Sequence, residues 1–215
     1  MRSKNESTGP KRTFIEEARR NQIIEATIAV VAEEGYAGAA LGRVAQRAQI
    51  SKSVVVYHFG GKDELVEATV QQIYEEIGGA VGPRVKAAAN SRERLRTYIE
   101  SQFAFLEMHR DRLLTVSYLL MNHRDREGSL YLHDRAERIN LEMIGAMLEA
   151  GQKSGEFRAF AVKPMAATLM HSIHGALGQW VMDPKLSLPE YARELVTIFE
   201  LATQRLPPTG GARRT

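Results

Sequence analysis

Five residues between Lys52 and His58 have the side chains expected of a surface that contacts nucleic acid. Lys52, Ser53 and Tyr57 donate hydrogen bonds of the kind that phosphate oxygens and base edges accept, and His58 does so through a ring nitrogen. Val54 offers a methyl contact to thymine. We therefore interpret this run as a candidate surface for the major groove of duplex DNA.

Two more basic residues, Arg43 and Lys62, flank this run and extend the candidate DNA-binding set. Lys62 opens a helix, where free backbone amides favour a phosphate. Residues 1–62 hold ten Lys and Arg against six Glu, a net +4, whereas the whole chain carries +3. The N-terminal part is therefore expected to attract a polyanion, although a solvated charged surface is the open alternative.

Three short helices are expected to position these residues. Apolar residues spaced by three and four, beginning at Ile24, predict a first helix that ends at Gly35. A second helix is predicted around Val44 and Ala45. Ser51 is a suitable N-cap for a third helix of about two turns, which Gly60-Gly61 closes.

The second and third helices share a predicted buried seam of Ala45, Ile50 and Val55, which are five residues apart. The small side chain of Ala45 lets the two backbones approach, and the connection is too short for anything except a sharp turn. Phe59 is also predicted to be core. This geometry leaves the polar side of the third helix facing outwards, although a purely structural helix trio remains possible.

The stretch from Arg20 to Leu65 resembles the DNA-binding domain of the TetR family of bacterial regulators. The resemblance rests on Gly35-Tyr36, Val44-Ala45, Ile50-Ser51-Lys52, Tyr57-His58-Phe59 and Lys62-Asp63-Glu64-Leu65, in that order and spacing. It implies a helix-turn-helix whose third helix enters the major groove. It also implies a C-terminal helical domain that pairs two subunits and encloses a pocket for a small molecule.

Several positions depart from the pattern of that family. Gln49 stands where a turn glycine is usual, so a left-handed backbone there would cost about 1 kcal/mol. Ala39, Ala40 and Val56 replace residues that commonly touch phosphate in the family. We expect fewer backbone contacts as a result, and a larger contribution from the basic residues of the tail over 1–12.

The remainder of the chain also has the periodicity of helices, so the predicted fold class is all-α with about nine helices. A fourth helix begins at Lys62 and is expected to stop near Gly78-Gly79 and Gly82-Pro83, and later helices are predicted over 91–109, 111–122, 126–152, 163–182 and 188–205. The predicted divisions are a disordered basic tail over 1–12, a helix-turn-helix domain over 13–61, a regulatory and dimerisation domain over 62–206, and a disordered tail over 207–215.

A ligand pocket is expected within the second domain, where methionines and other large apolar residues recur at helical spacing. The alternative is that most of these residues only form the hydrophobic core. His171 and His174 lie three apart and suit a polar group of a ligand better than a metal, so no metal or cofactor is predicted. His109, His123 and His133 are expected at the surface. The candidate pocket residues are Phe103, Leu106, Tyr118, Met121, Met143, Met147, Met170, His171 and His174.

The last two helices have broad apolar faces, and Gly175 and Gly178 would let a partner helix come close. By the same resemblance they form a four-helix interface in a homodimer, although helices that only cover their own domain remain an alternative. The candidate interface residues are Ile173, Leu177, Trp180, Tyr191, Leu195, Ile198 and Phe199.

Together these features favour a sequence-specific transcriptional regulator, a repressor that leaves a palindromic operator when a small-molecule effector binds. The effector's identity is not encoded in any motif. The chain has no cysteine, no apolar run long enough for a membrane span and no recognisable catalytic motif, so a cytoplasmic protein that is not an enzyme is expected. The alternative is a dimeric DNA-binding or architectural protein that senses no ligand.

Overall fold

The computed structural model describes residues 13–205, which form nine α-helices and one short 3-10 helix, Gly35–Ala39. The predicted tails over 1–12 and 207–215 lie outside the described residues. Within that part, no helix is long and apolar enough to cross a membrane. The α-helices are α1 Phe14–Glu34, α2 Leu41–Arg47, α3 Lys52–Phe59, α4 Lys62–Ala87, α5 Ser91–Met108, α6 Arg110–Asn122, α7 Tyr131–Lys153, α8 Val162–Met182 and α9 Leu188–Thr203.

The three N-terminal helices pack around the predicted seam. Val44 and Val55 are fully buried, Ala45 is buried beside them, and Ile50 packs against this core from its edge. Phe59 is also buried, as its spacing predicts. The apolar side of α3 is therefore committed to the protein interior, which fixes the opposite side as its outer surface.

The turn between α2 and α3 contains a residue with a left-handed backbone conformation. Gln49 has φ 55°, in the left-handed region, where a glycine would be free of strain. The hydroxyl of Ser51 then accepts a hydrogen bond from the Val54 amide, which caps α3 as predicted. The strain at Gln49 is of the order of 1 kcal/mol.

The predicted end of α4 is wrong, because this helix continues through Gly78, Gly79, Gly82 and Pro83 to Ala87. One face of its C-terminal half buries Ile77 and Val81. Burial of that face outweighs the weak helix propensity of the glycines, whose missing side chains would point into open space. The result is a helix of 26 residues, about 39 Å long, shared by both domains.

The start of α7 is also later than the predicted residue 126. An Oδ1 of Asp125 accepts a hydrogen bond from the Ser129 amide, and Gly128 has φ 85°. This turn uses the backbone groups that a helix would need, so α7 begins only at Tyr131.

Helix α6 contacts the N-terminal helices. The Thr115 hydroxyl donates to the Ile28 carbonyl of α1 at 3.0 Å. The guanidinium of Arg112, mostly buried, donates to Glu25 of α1 at 2.8 Å and to Glu76 of α4 at 3.2 Å. A displacement of α6 would therefore act directly on α1.

Candidate nucleic-acid interface and cavity

The outer side of α3 is open to solvent. Lys52 and Ser53 are exposed, and the side chain of Tyr57 is 76% exposed. Val54 is half-buried and Val56 is exposed. The structure thus brings most of the predicted contact residues onto one free face whose inner side is held by the core.

Arg43 lies on α2 beside this face, but a carboxylate already engages it. Its guanidinium forms an ion pair with Glu34 and donates to the Gln46 side chain at 2.7 Å. The hydrogen bond from Arg43 holds the pKa of Glu34 below its usual value. An exposed pair of this kind contributes little stability, so a phosphate can compete with Glu34 for the arginine.

Lys62 and His58 are oriented partly towards the protein. The ammonium of Lys62 lies 3.9 Å from the ring centroid of Tyr36, a cation–π contact at the start of α4. The ring of His58 meets Tyr57 edge-on, with centroids 5.1 Å apart. Both residues adjoin the α3 surface, and both have contacts that position their neighbours.

Arg20 is a positioning residue that the sequence interpretation missed. Its guanidinium lies 4.0 Å from the ring centroid of Phe59 and donates to the carbonyl oxygen of His58. Arg20 therefore fastens the C-terminal end of α3 to α1. The sequence offered one indication of this role, because Arg20 is the first residue of the stretch, Arg20 to Leu65, that resembles the TetR family.

A cavity of about 1040 Å³, partly open to solvent, is lined by α4, α5, α6, α7 and α8. Seven of the nine predicted pocket residues lie on its wall: Leu106, Met121, Met143, Met147, Met170, His171 and His174. Phe103 lies elsewhere, because it faces α9 and stacks on Tyr191 with centroids 6.5 Å apart. Tyr118 lies on the outer side of α6, near Gly35.

Several polar side chains on the cavity wall were not predicted from the sequence. Tyr74 hydrogen-bonds Asn140, and Tyr98 hydrogen-bonds Gln102. Burial raises the pKa of Tyr98 to about 12, so its hydroxyl stays protonated and available as a donor. Arg94, Tyr98, Gln102 and Leu106 all line the cavity at intervals of four residues, the spacing of one helix face.

A group of histidines lies on the part of the wall formed by α7 and α8. His171 Nε2 is 3.4 Å from an Oε1 of Glu137. His133, predicted at the surface, also lines the cavity. Burial lowers the pKa of His174, and the nearby His171 and His133 lower it further. Within residues 13–205, no three histidine or carboxylate side chains are arranged to hold a metal ion.

His123 is the clearest departure from the predicted surface set, since its side chain is only 1% exposed. It lies at the end of α6, between Tyr36 of the 3-10 helix and Tyr131 of α7. The Tyr131 hydroxyl donates to Glu67 of α4, a residue on the cavity wall. A packed path thus runs from the cavity to the N-terminal domain.

Six of the seven predicted dimer-interface residues are buried or half-buried within the protomer. Ile173 and Leu177 line the cavity, Trp180 is buried beneath Arg110, and Tyr191 stacks on Phe103. Leu195 and Phe199 are buried as well. Ile198 is 52% exposed, and Tyr191 is half-buried. Most of these large apolar side chains face the core of the protomer, because burial there removes the most apolar surface from water.

A different set of residues forms the exposed face of α8 and α9. Leu201 is 62% exposed and Met182 is 84% exposed. Side chains built at Gly175 and Gly178 would meet no atom within 4 Å. We call Gly175, Gly178, Met182, Ile198 and Leu201 the α8–α9 face.

Residues 23–69 match the bacterial regulatory proteins of the tetR family. The HTH-type transcriptional regulator BetI of Paraburkholderia phytofirmans is 42% identical over 88 residues, which cover 40% of this chain and 45% of BetI. The chain therefore spans less than half the length of the curated relatives that it matches.

Two solved structures share the architecture over most of the chain. FadR of Bacillus subtilis, in complex with stearoyl-CoA, has TM-score 0.73 and 21% identity, covering 83% of this chain and 96% of FadR. SmeT, the repressor of the Stenotrophomonas maltophilia multidrug efflux pump SmeDEF, has TM-score 0.74 and 20% identity, covering 90% of this chain and 96% of SmeT. Residues 23–69 are thus similar to the tetR family of bacterial regulatory proteins, and the chain as a whole has the fold of FadR and SmeT.

Proposed function

We propose that this protein is a sequence-specific DNA-binding transcriptional regulator. The observation that carries the proposal is the exposed face of α3, where Lys52, Ser53 and Tyr57 project from a helix whose other side is core. A helix of this size fits the major groove. Arg43, Val54, His58 and Lys62 would supply further contacts, and the name of the BetI relatives supports the same role.

The regulator is proposed to respond to a small molecule in the cavity. A cavity of about 1040 Å³ with a largely apolar wall and a few polar groups has the size and chemistry of a ligand site. FadR, which shares the fold, was solved in complex with stearoyl-CoA. This feature favours a ligand-controlled repressor over a regulator or architectural protein that senses nothing.

The proposed mechanism is a shift between two conformations with different affinity for DNA. Helix α4 contributes to the cavity wall and directly follows α3, and α6 contributes to the wall and contacts α1. A ligand that favours a displaced position of these two helices would move α3. In a homodimer, the two copies of α3 must match half-sites about 34–36 Å apart, so a small displacement lowers affinity.

The test is selection of bound sequences from random duplex DNA, followed by titration of the complex with small molecules. A palindromic consensus that the protein binds as a dimer would support the proposal. Absence of any enriched sequence would refute sequence-specific binding. A consensus without any compound that releases the protein would favour the regulator that senses no ligand.

A further inference from the structure

Charge is distributed unevenly along the cavity. Glu67, His133 and Glu137 line the end next to the N-terminal domain, together with Arg135. Lys86 and Arg94 line the opposite end, where α4 turns into α5. The intervening wall is mostly aliphatic side chains and methionines, including Ile144 and Met147, with one further carboxylate at Glu75. The cavity therefore has a basic end, an apolar middle and a mainly acidic and imidazole end.

Arg94 is the least satisfied polar side chain at the basic end. Its Nε is inaccessible to solvent and has no hydrogen-bond partner among the described residues. The residue as a whole is half-buried, so its guanidinium is only partly solvated. A ligand anion would supply a counter-charge, because a guanidinium binds carboxylate or phosphate oxygens through charge-assisted hydrogen bonds.

The wall next to Arg94 determines which kind of group can be attached to the anion. Tyr98, Gln102 and Leu106 continue the same face of α5 at intervals of four residues, so this face extends about 18 Å from Arg94 at 1.5 Å per residue. Tyr98 and Gln102 interact with each other through their side chains, which leaves the Tyr98 hydroxyl hydrogen as a further donor on this face. Leu106, Ile144 and Met147 make the deeper wall apolar.

We infer that the cavity binds an anionic amphiphile, whose carboxylate or phosphate head pairs with Arg94 and whose elongated apolar body lies along α5 and α7. Lys86 adds positive charge beside the head. The opposite orientation would place the anion near Glu67 and Glu137, where like charges repel it. This inference names the ligand class of the cavity and rests on the proposed function only for the claim that the ligand controls DNA binding.

The test compares ligands that differ only in the head group. Dodecanoate, dodecyl phosphate and dodecanol would be titrated against the full-length protein below their micellar concentrations, by calorimetry and by the shift in Tm. We expect both anions to bind at least ten-fold more tightly than dodecanol, and their ratio identifies the preferred acid. Equal affinity for dodecanoate, dodecyl phosphate and dodecanol would overturn the inference.

Two variants assign the effect to one guanidinium. Arg94→Gln should lose at least ten-fold in affinity for the anions and retain the wild-type affinity for dodecanol, which also shows that the cavity is intact. Arg92→Gln is the matched control, since Arg92 is exposed in the same helical turn and does not line the cavity. Unchanged binding of the anions to Arg94→Gln, or an equal loss in Arg92→Gln, contradicts the inference.

Ligand titration tests the anion site, and release of the duplex tests ligand control of DNA binding. If the anions bind through Arg94 but never change the affinity for the selected duplex, the ligand class stands and ligand control of DNA binding is wrong. If dodecanol and the anions release the duplex equally, ligand control stands and the anion site is wrong.

Discussion

The hydroxyl oxygen of Tyr36 lies 3.0 Å from Nδ1 of His123, and this hydrogen bond joins the 3-10 helix of the N-terminal domain to the last turn of α6. With the hydroxyl donating, the neutral imidazole keeps its hydrogen on Nε2. That nitrogen is buried without a hydrogen bond among the described residues, and it lies 3.9 Å from an Oδ1 of Asp63 in α4. The imidazole that follows α6 thus lies against both the 3-10 helix and α4.

The buried imidazole predicts how stability depends on pH. Burial lowers the pKa of His123 from its ordinary 6.5, which outweighs the opposing effects of Asp63, Glu67 and Asp125. Well above pH 6.5 the ring is neutral in both the folded and unfolded chains, so it does not change the free energy of unfolding with pH. As the pH falls below that value, the unfolded chain takes up the proton first, and the free energy of unfolding decreases.

Urea denaturation between pH 7 and pH 5 measures this slope. His123→Asn keeps an acceptor near the position of Nδ1 and does not titrate, so the slope should become shallower. His174→Asn removes the other imidazole whose pKa burial lowers, and the double variant should have the shallowest slope. A slope in His123→Asn equal to that of the wild type would contradict the assignment.

Removal of the Tyr36 hydroxyl should destabilise the protein at neutral pH. Tyr36→Phe leaves His123 Nδ1 buried without its donor, which costs about 1–3 kcal/mol in the free energy of unfolding. Chemical denaturation measures the change. Tyr57→Phe is the matched control, because its side chain is 76% exposed and a lost hydroxyl there should cost under about 0.5 kcal/mol. Equal effects of the two changes would show that the interdomain hydrogen bond is unimportant.

DNA binding should depend on the outer side of α3. Lys52→Ala and Tyr57→Ala should each weaken binding to the selected duplex by about 1–3 kcal/mol, because each removes contacts to phosphates or bases. Loss of Lys52 should also lower the dependence of binding on salt concentration by about one unit of slope if it contacts a phosphate.

Fluorescence anisotropy over a series of salt concentrations tests both effects. Lys153→Ala serves as control, since Lys153 is exposed at the end of α7 and forms only a surface pair with Glu149. Its affinity should equal that of the wild type. If Lys52→Ala and Tyr57→Ala also bind as the wild type does, another surface contacts the duplex.

Local features of the fold were predictable from the sequence, and long-range ones were not. The cap at Ser51 follows from a few neighbouring residues and was predicted correctly. The left-handed backbone at Gln49 was considered only as a condition, because a glycine is usual at that position in the family that the segment resembles. The burial of His123 depends on Tyr36, 87 positions away, and no local pattern encodes that distance. Phe103 has the periodicity of a wall residue, yet only the packing of α9 decides that it faces Tyr191.

The dimer interface illustrates the same limit and provides a direct test. Periodicity identified α8 and α9 as apolar helices but did not distinguish the side that faces the core from the side that remains open. The α8–α9 face is exposed, and a Cβ built at Gly175 or Gly178 meets no atom within 4 Å, so a side chain there has no immediate clash within the protomer. Gly178 also lines the cavity. Such side chains would, however, hold a partner helix away.

Gly175→Leu and Gly178→Leu should therefore leave the folded protomer intact, even slightly stabilised by better helix propensity, and should convert a dimer into a monomer. Analytical ultracentrifugation measures the mass, and circular dichroism measures the fold. Gly79→Leu is the control, because Gly79 is an exposed helical glycine with nothing within 4 Å, on a different helix. A dimer that survives both substitutions on α8 would place the subunit contact elsewhere. Weaker operator binding by these monomers, with α3 unaltered, would follow because a single α3 reads only one half-site.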